Sequence, residues 1–412
     1  MGFDSGSLRF SRFIVPADVD RTIDAALFDR FRAMALEQDY ESTSELDYGW
    51  AGGRHVFDAD FSPGNCVYAE CIHVGFRLDT NKVPAEIKRA YVALEEKGDE
   101  PSDKKARSKA KEAAGQRIEQ DLLSGKYRRS RMTPVLWDTD HSRLYAAVSS
   151  QKREQLQELF ERTHGVKPEP LTPGLLARIH LEARGLSRAY EELRPTKFFN
   201  GQHPNEPAEY PWAPKGENSK DWLGNEFAMW LWAMSFESQI SLGRREIMVA
   251  FDRSLDFDCV FGDSGKAGLR YERPTEMPEA RDALLSGKVV RKAALVLAFE
   301  GGLYSFSLNA DDLSISGLKL PEVPDAASPR VLFEERIGLL RSFASTLDAL
   351  YTMFIDVRVT SDWNQLVNRF RDQFGRKNGE RSRFLADVVH DRQNNDRAGE
   401  RDHERAEVAE RA

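Results

Sequence analysis

The sequence predicts an α+β protein of antiparallel sheets and long helices, organised as a multi-lobed chain. Three observations carry that expectation. At 412 residues the chain exceeds what one hydrophobic core usually organises, and 41% apolar residues suffice for two or three packed units. Its β-rich segments are joined by hairpin-type turns, at Asp138 to Ser142 and at Gly301-Gly302. Long stretches between and after them, Val83 to Gly125 and Phe333 to Phe354, have helical spacing.

From Leu8 to Val15 the run LRFSRFIV alternates with β character, and Thr22 to Ala35 carries Ile23, Ala26, Leu27 and Met34 at helical spacing. A strand and then a helix follow. DYGWAGG (Asp47 to Gly53) reads as a turn, and NCVYAECIHVGFRLDT (Asn65 to Thr80) as one strand long enough to cross a sheet. Val83 to Gly125 reads as one or two mostly solvated helices, with Pro84 in a first turn and Ile87, Tyr91 and Leu94 ahead of a charged run. MTPVLWDTD and SRLYAAVSS form a predicted hairpin, and Gln151 to Thr163 a helix with Leu156, Leu159 and Phe160 on one side. Residues 1–165 thus form an N-terminal α+β region with a basic helical arm at 83–131.

Residues 166–240 read as a proline-rich insert and a tryptophan-rich helix. Pro168 to Lys220 has little periodicity, whereas Leu223 to Met234, with Trp230 and Trp232, has the density of a buried helix for which Asp221 is a candidate cap. Residues 241–374 form a second α+β region: REIMVAFD, KVVRKAALVLAFEGG and GLYSFSLNADDLSISGLKL are β-rich, and Phe333 to Phe354 and Ser361 to Phe374 are amphipathic helices. Residues 375–412 mix opposite charges with almost nothing to bury, which predicts disorder or a frayed helix.

The net charge of −8 and pI near 5.7 argue against a chain coated in positive charge, so any nucleic-acid site is local. Cys66, Cys71 and Cys259 form no CxxC pair, which supports neither a disulfide framework nor a four-ligand zinc site and suits a reducing cytoplasm. Met1 to Arg12 lacks the apolar run of a signal peptide, and no segment approaches the ~20 apolar residues of a membrane helix. Neither export nor membrane spanning is expected.

No HExxH, G-x-S-x-G or GxxxxGK[ST] pattern occurs, and GDSGKAG (Gly262 to Gly268) lacks the spacing and the hydroxyl residue of a phosphate loop. Asp138 with Asp140, and Asp311 with Asp312, are the acids a two-metal nuclease would draw on. Both pairs sit at predicted turns, where Asp commonly bonds its own backbone. No catalytic residue, metal or cofactor is therefore assigned.

The positive signal lies between Lys104 and Arg131. Lys104, Lys105, Arg107, Lys109, Lys111, Arg117, Lys126, Arg128, Arg129 and Arg131 face only Glu112, Glu119 and Asp121, a local excess of seven positive charges. Such a row matches the closely spaced charges of a phosphate backbone, and a solvated charged helix is the plainer alternative. Tyr127 is either a stacking residue or packed beside the turn at Ser124-Gly125. A second basic set, Lys266, Arg270, Arg273, Lys288, Arg291 and Lys292, is diluted by Glu272, Glu276 and Asp282.

The order of landmarks resembles the RdgC family of bacterial recombination-associated proteins. They are Gly49-Trp50, the strand at Val67 to Gly75, VPAEIKRAYVALEEK before the lysine-rich helix, Leu122-Leu123, PVLWDTD and SGKVVRKAALVL (Ser286 to Leu297). The resemblance spans roughly Leu8 to Gly165 and Asp256 to Phe354, with Gly185 to Ser219 and the tail as additions. It implies a nucleoid-associated homodimer, closed into a ring around double-stranded DNA, that binds with little sequence preference and opposes RecA. It further implies that Lys104 to Arg117 and Lys126 to Arg131 face the hole, with Tyr127 near an aromatic position of relatives and Arg270 and Arg273 near a second DNA-facing stretch. There Glu272 interrupts a stretch that relatives fill with lysine. Two rivals stand beside this reading: a magnesium-dependent DNA exonuclease, and a module whose basic helix docks an acidic protein.

Overall fold

In the computed structural model the described residues are 2–37, 40–96, 104–198, 210–212, 219–237, 239–261, 264–324 and 326–375. The chain is mixed α and β with antiparallel sheets, and it divides into two compact units. The first comprises residues 2–4 and 10–170, the second residues 5–9 and 171 onward. Among the described residues no helix is long and apolar enough to cross a membrane.

The first unit runs β1 (Leu8–Ile14, of which Leu8 and Arg9 belong to the second unit), α1 (Ala25–Ala33), β2 (Leu46–Ala51), α2 (Pro63–Cys66), β3 (Val67–Tyr68) and β4 (Cys71–Asn81). It continues with α3 (Ala85–Glu96), α4 (Lys104–Leu123), β5 (Arg128–Asp138), β6 (Arg143–Ala146), α5 (Ser150–His164) and β7 (Glu169–Pro170). The strands lie in the order β1-β6-β5-β4-β2, all antiparallel. Alternation along them turns Val74, Phe76, Val135 and Trp137 to one face, where they pack with Phe28 and Phe31 of α1 and Leu156, Leu159 and Phe160 of α5. Trp50 is buried there, and its Nε1 donates to Thr163 Oγ1 at 2.8 Å.

The structure corrects two expectations in this unit. Asp47 to Gly53 is not a turn: most of it is β2, in which Gly49 permits close backbone approach, since a Cβ there would lie 2.7 Å from the Met34 carbonyl. Asn65 to Thr80 is not one strand, because Ala69 and Glu70, with φ of 45° and 61°, reverse the chain between β3 and β4.

The second unit holds α6 (Pro173–Ala183), α7 (Ser187–Glu192), α8 (Leu223–Met234), β8 (Ile240–Leu242), β9 (Arg245–Cys259), β10 (Ala267–Arg270) and α9 (Pro278–Leu285). β11 (Lys288–Phe299), β12 (Gly302–Asn309), β13 (Ser314–Lys319), α10 (Pro329–Arg358) and α11 (Asp362–Gly375) complete it. Its strands lie in the order β10-β9-β11-β12-β13, with β8 paired to β9. Trp232 of α8 packs on Phe251 and Phe257, and Phe343 of α10 on Tyr304 and Phe306. Residues 173–183 and 187–192, read from sequence as irregular, are helical; α6 starts where Thr172 caps it and Pro173 occupies its first turn, where the missing N–H costs nothing. Asp221 does not cap α8. Its carboxylate accepts from Gly174 N at 3.0 Å, tying α6 to the chain before α8. The core of the insert, residues 199–209 and 213–218, and the tail 376–412 lie outside the described residues.

Candidate nucleic-acid interface

The basic arm is a helical hairpin. α3 has no buried residue, and among the described side chains of α4, the helix packed against it, the small Ala110 and Ala114 are the buried ones. The hairpin is pinned at its base. Gly125, with φ of 68°, ends the helix and donates to the Leu122 carbonyl at 2.9 Å, and Asn81 Nδ2 at the end of β4 donates to the same carbonyl at 2.8 Å.

A buried polar ladder along β4 holds the surrounding loop. Arg77 and Asp79, each 1% exposed, form a two-point ion pair at 3.0 and 2.6 Å. Arg77 also donates to the carbonyls of Leu36 and Glu37, and the Tyr40 hydroxyl bonds Asp79 and Asp47. Burial first, then those two carboxylates, push the Tyr40 hydroxyl well above its usual range. The Arg128 guanidinium stacks 4.0 Å from the Tyr40 ring centroid and donates to the Tyr40 carbonyl at 2.7 Å.

The cluster YRRSR is therefore largely strand: Arg128 to Arg131 are the first residues of β5, paired with Asn81 to Leu78 of β4. Arg129 and Arg131 stand on the face that carries the hydrophobic core farther along β5, and both are exposed. On α4, Arg107, Lys109 and Lys111 are exposed as well. None of these five has an ion-pair partner among the described residues. Lys88 and Arg89 of α3 share that condition and were missed in the sequence, where Glu86, Glu95 and Glu96 mask them.

Of the other sequence-predicted cations, Arg117, Lys126, Arg270, Arg273 and Arg291 are engaged. Arg117 pairs with Glu95 at 3.3 Å, Lys126 with Asp121 at 3.0 Å, and Lys126 lies 5.4 Å from the ring centroid of half-buried Tyr127. Lys104 and Lys105 fall on the first turn of α4, with side chains outside the described set. In the second unit Arg270 pairs with Asp256 at 2.6 Å and Arg273 faces Glu276 at 4.0 Å. Arg291, the extra residue of a bulge in β11, is taken by Asp258 and Asp311.

The candidate nuclease acids have structural partners: Asp311 holds Arg291, and Asp138 is 1% exposed and bonded to His141 Nδ1. Among the described residues no group of three or more His, Cys, Asp or Glu is placed to hold a metal ion. No family model matches the chain, and no curated protein matches it.

Proposed function

We propose that this protein binds duplex DNA through its phosphates, without reading base sequence and without catalysing a reaction. The observation that carries the proposal is the set Arg107, Lys109, Lys111, Arg129 and Arg131: five exposed cations without ion-pair partners among the described residues, in a chain of net charge −8. Charges of this kind displace condensed counterions, which gives affinity that falls steeply with salt and depends little on bases. Arg107, Lys109 and Lys111 are presented by a hairpin anchored through Asn81 and Leu122, and Arg129 and Arg131 by strand β5, so part of the ordering cost is met before DNA arrives.

The order of landmarks that resembles RdgC supports the same reading and extends it. On that resemblance the working form is a nucleoid-associated homodimer encircling DNA, and its effect is to limit RecA access to the duplex. The test is equilibrium binding to fluorescent random-sequence duplexes of contrasting base composition, with Mg²⁺ added in a parallel series. The reading expects equal affinities and intact DNA. Absence of binding at low salt would overturn it in favour of a protein-docking module, and degradation of linear duplex would overturn it in favour of an exonuclease.

A further inference from the structure

We infer that the cluster around Tyr91 is a phosphodiester subsite filled, in the free protein, by the carboxylate of Asp121, so that Asp121 competes with the DNA backbone for Lys126. The inference rests on the duplex-binding reading and adds to it a residue that weakens binding.

Asp121 Oδ2 accepts from the Tyr91 hydroxyl at 2.5 Å. Lys126 Nζ donates to both Asp121 oxygens, at 3.1 and 3.0 Å, and to the Tyr91 hydroxyl oxygen at 3.1 Å. The Arg117 guanidinium lies 5.3 Å from the Tyr91 ring centroid. One anion is thus held by a hydroxyl and an ammonium with a guanidinium alongside, and a phosphodiester offers the same pair of acceptor oxygens to the same donors.

The position is an unfavourable one for a carboxylate. Asp121 lies in the last turn of α4, where the helix end carries partial negative charge and a cation is the stabilising choice. The Tyr91 hydroxyl foremost, with help from Lys126, holds the acid below the usual carboxylate range, so it is charged at neutral pH. Its side chain is 17% exposed while that of Lys126 is 51% exposed, which leaves the ammonium open to an incoming anion from the solvent side. Lys126 also begins, in sequence, the run that carries Arg129 and Arg131.

The experiment is a salt titration of random-duplex binding by wild type, Asp121→Asn, Lys126→Gln and the double variant. Asn keeps the shape and an acceptor for Tyr91 while removing the charge. Asp121→Asn is expected to tighten binding roughly two- to fivefold at low salt, and to steepen the log-log salt slope by about 0.9, one phosphate contact. In the Lys126→Gln background Asp121→Asn is expected to change neither quantity. Asp121→Ser carries the same expectations, and thermal unfolding of each variant establishes that it is folded. If wild type binds and both Asp121 variants share its affinity and slope, the inference fails and the duplex-binding reading stands. A gain that persists without Lys126 also overturns it, because the effect is then that of net charge. If no form binds at low salt, both are overturned.

Discussion

The side-chain amide of Asn81 donates to the Leu122 carbonyl at 2.8 Å and to the Ser42 carbonyl at 3.2 Å, from a position 1% exposed at the end of β4. The last carbonyls of a helix have no partner within it, so this amide completes the end of α4 and joins the arm to the sheet. Asn81→Ala is expected to cost about 1–2 kcal/mol in urea unfolding, the loss of two hydrogen bonds donated by a buried amide, with the Leu122 carbonyl keeping its bond from Gly125 N. Hydrogen exchange is expected to show α4 losing protection before β4. Unchanged protection in α4 would contradict the anchoring role.

Arg77 and Asp79 are fully buried partners, so removing one strands the charge of the other. Asp79→Ala is expected to destabilise by about 3–5 kcal/mol, whereas Arg77→Met with Asp79→Leu recovers most of the loss. Chemical denaturation of the three forms decides this. A double variant no better than the single would show that the pair holds Leu36, Glu37 and Tyr40 in a way packing cannot replace.

His73 and His164 are pushed down to about 4 and about 3, mainly by burial. The His164 ring sits 4.5 to 5.0 Å from those of Phe160, Phe31 and Trp137, and its nitrogens have no hydrogen-bond partner among the described residues. Both folded values lie below the unfolded value near 6.5, so the unfolded chain takes up protons first as pH falls. The stability these groups contribute is present above pH ~6.5 and is lost progressively on acidification toward their folded values, on the order of 2 kcal/mol each by pH 5. His164→Phe is expected to flatten that loss in denaturation series at pH 7 and pH 5. An unchanged difference between the two pH values would contradict it.

Gly224 in the first turn of α8 allows a close approach, since a Cβ there would lie 1.8 Å from the Ala310 carbonyl oxygen and 2.7 Å from Pro173 Cγ. Gly224→Ala is expected to cost about 3 kcal/mol or more, because backbone has to move to admit one methyl group. A melting temperature within about 2 °C of wild type would contradict this.

Elements with an unambiguous pattern were legible in the sequence. α8 is dense in apolar residues, and every residue from Leu223 to Ala233, Asn225 and Glu226 included, is buried. The β11–β12 hairpin follows from Gly301-Gly302, and Phe299 pairs with Gly302 across it. β2 was hidden because Gly49 and Gly52-Gly53 look like turn residues, although Gly49 serves close packing within the strand. α6 was hidden because Pro173 looks like a breaker and acts as a first-turn residue. Charge counting found the basic cluster but did not separate its unpaired cations from its engaged ones, since the partners that engage Arg117, Arg128 and Arg270 are Glu95, Tyr40 and Asp256, distant in sequence and close in space.

The central claim is that the unpaired cations of α4 and β5 are the phosphate contacts, and the salt dependence of random-duplex binding tests it most directly. Wild type is compared with Arg129→Ala/Arg131→Ala, Arg107→Ala/Lys109→Ala/Lys111→Ala, and Arg270→Ala/Arg273→Ala. The account predicts that each of the first two variants has a log-log slope shallower by about 0.9 for every phosphate left without its cation, while the third, whose arginines already face carboxylates, stays near wild type. Slopes equal to wild type in the first two, with weakening confined to the third, would contradict it.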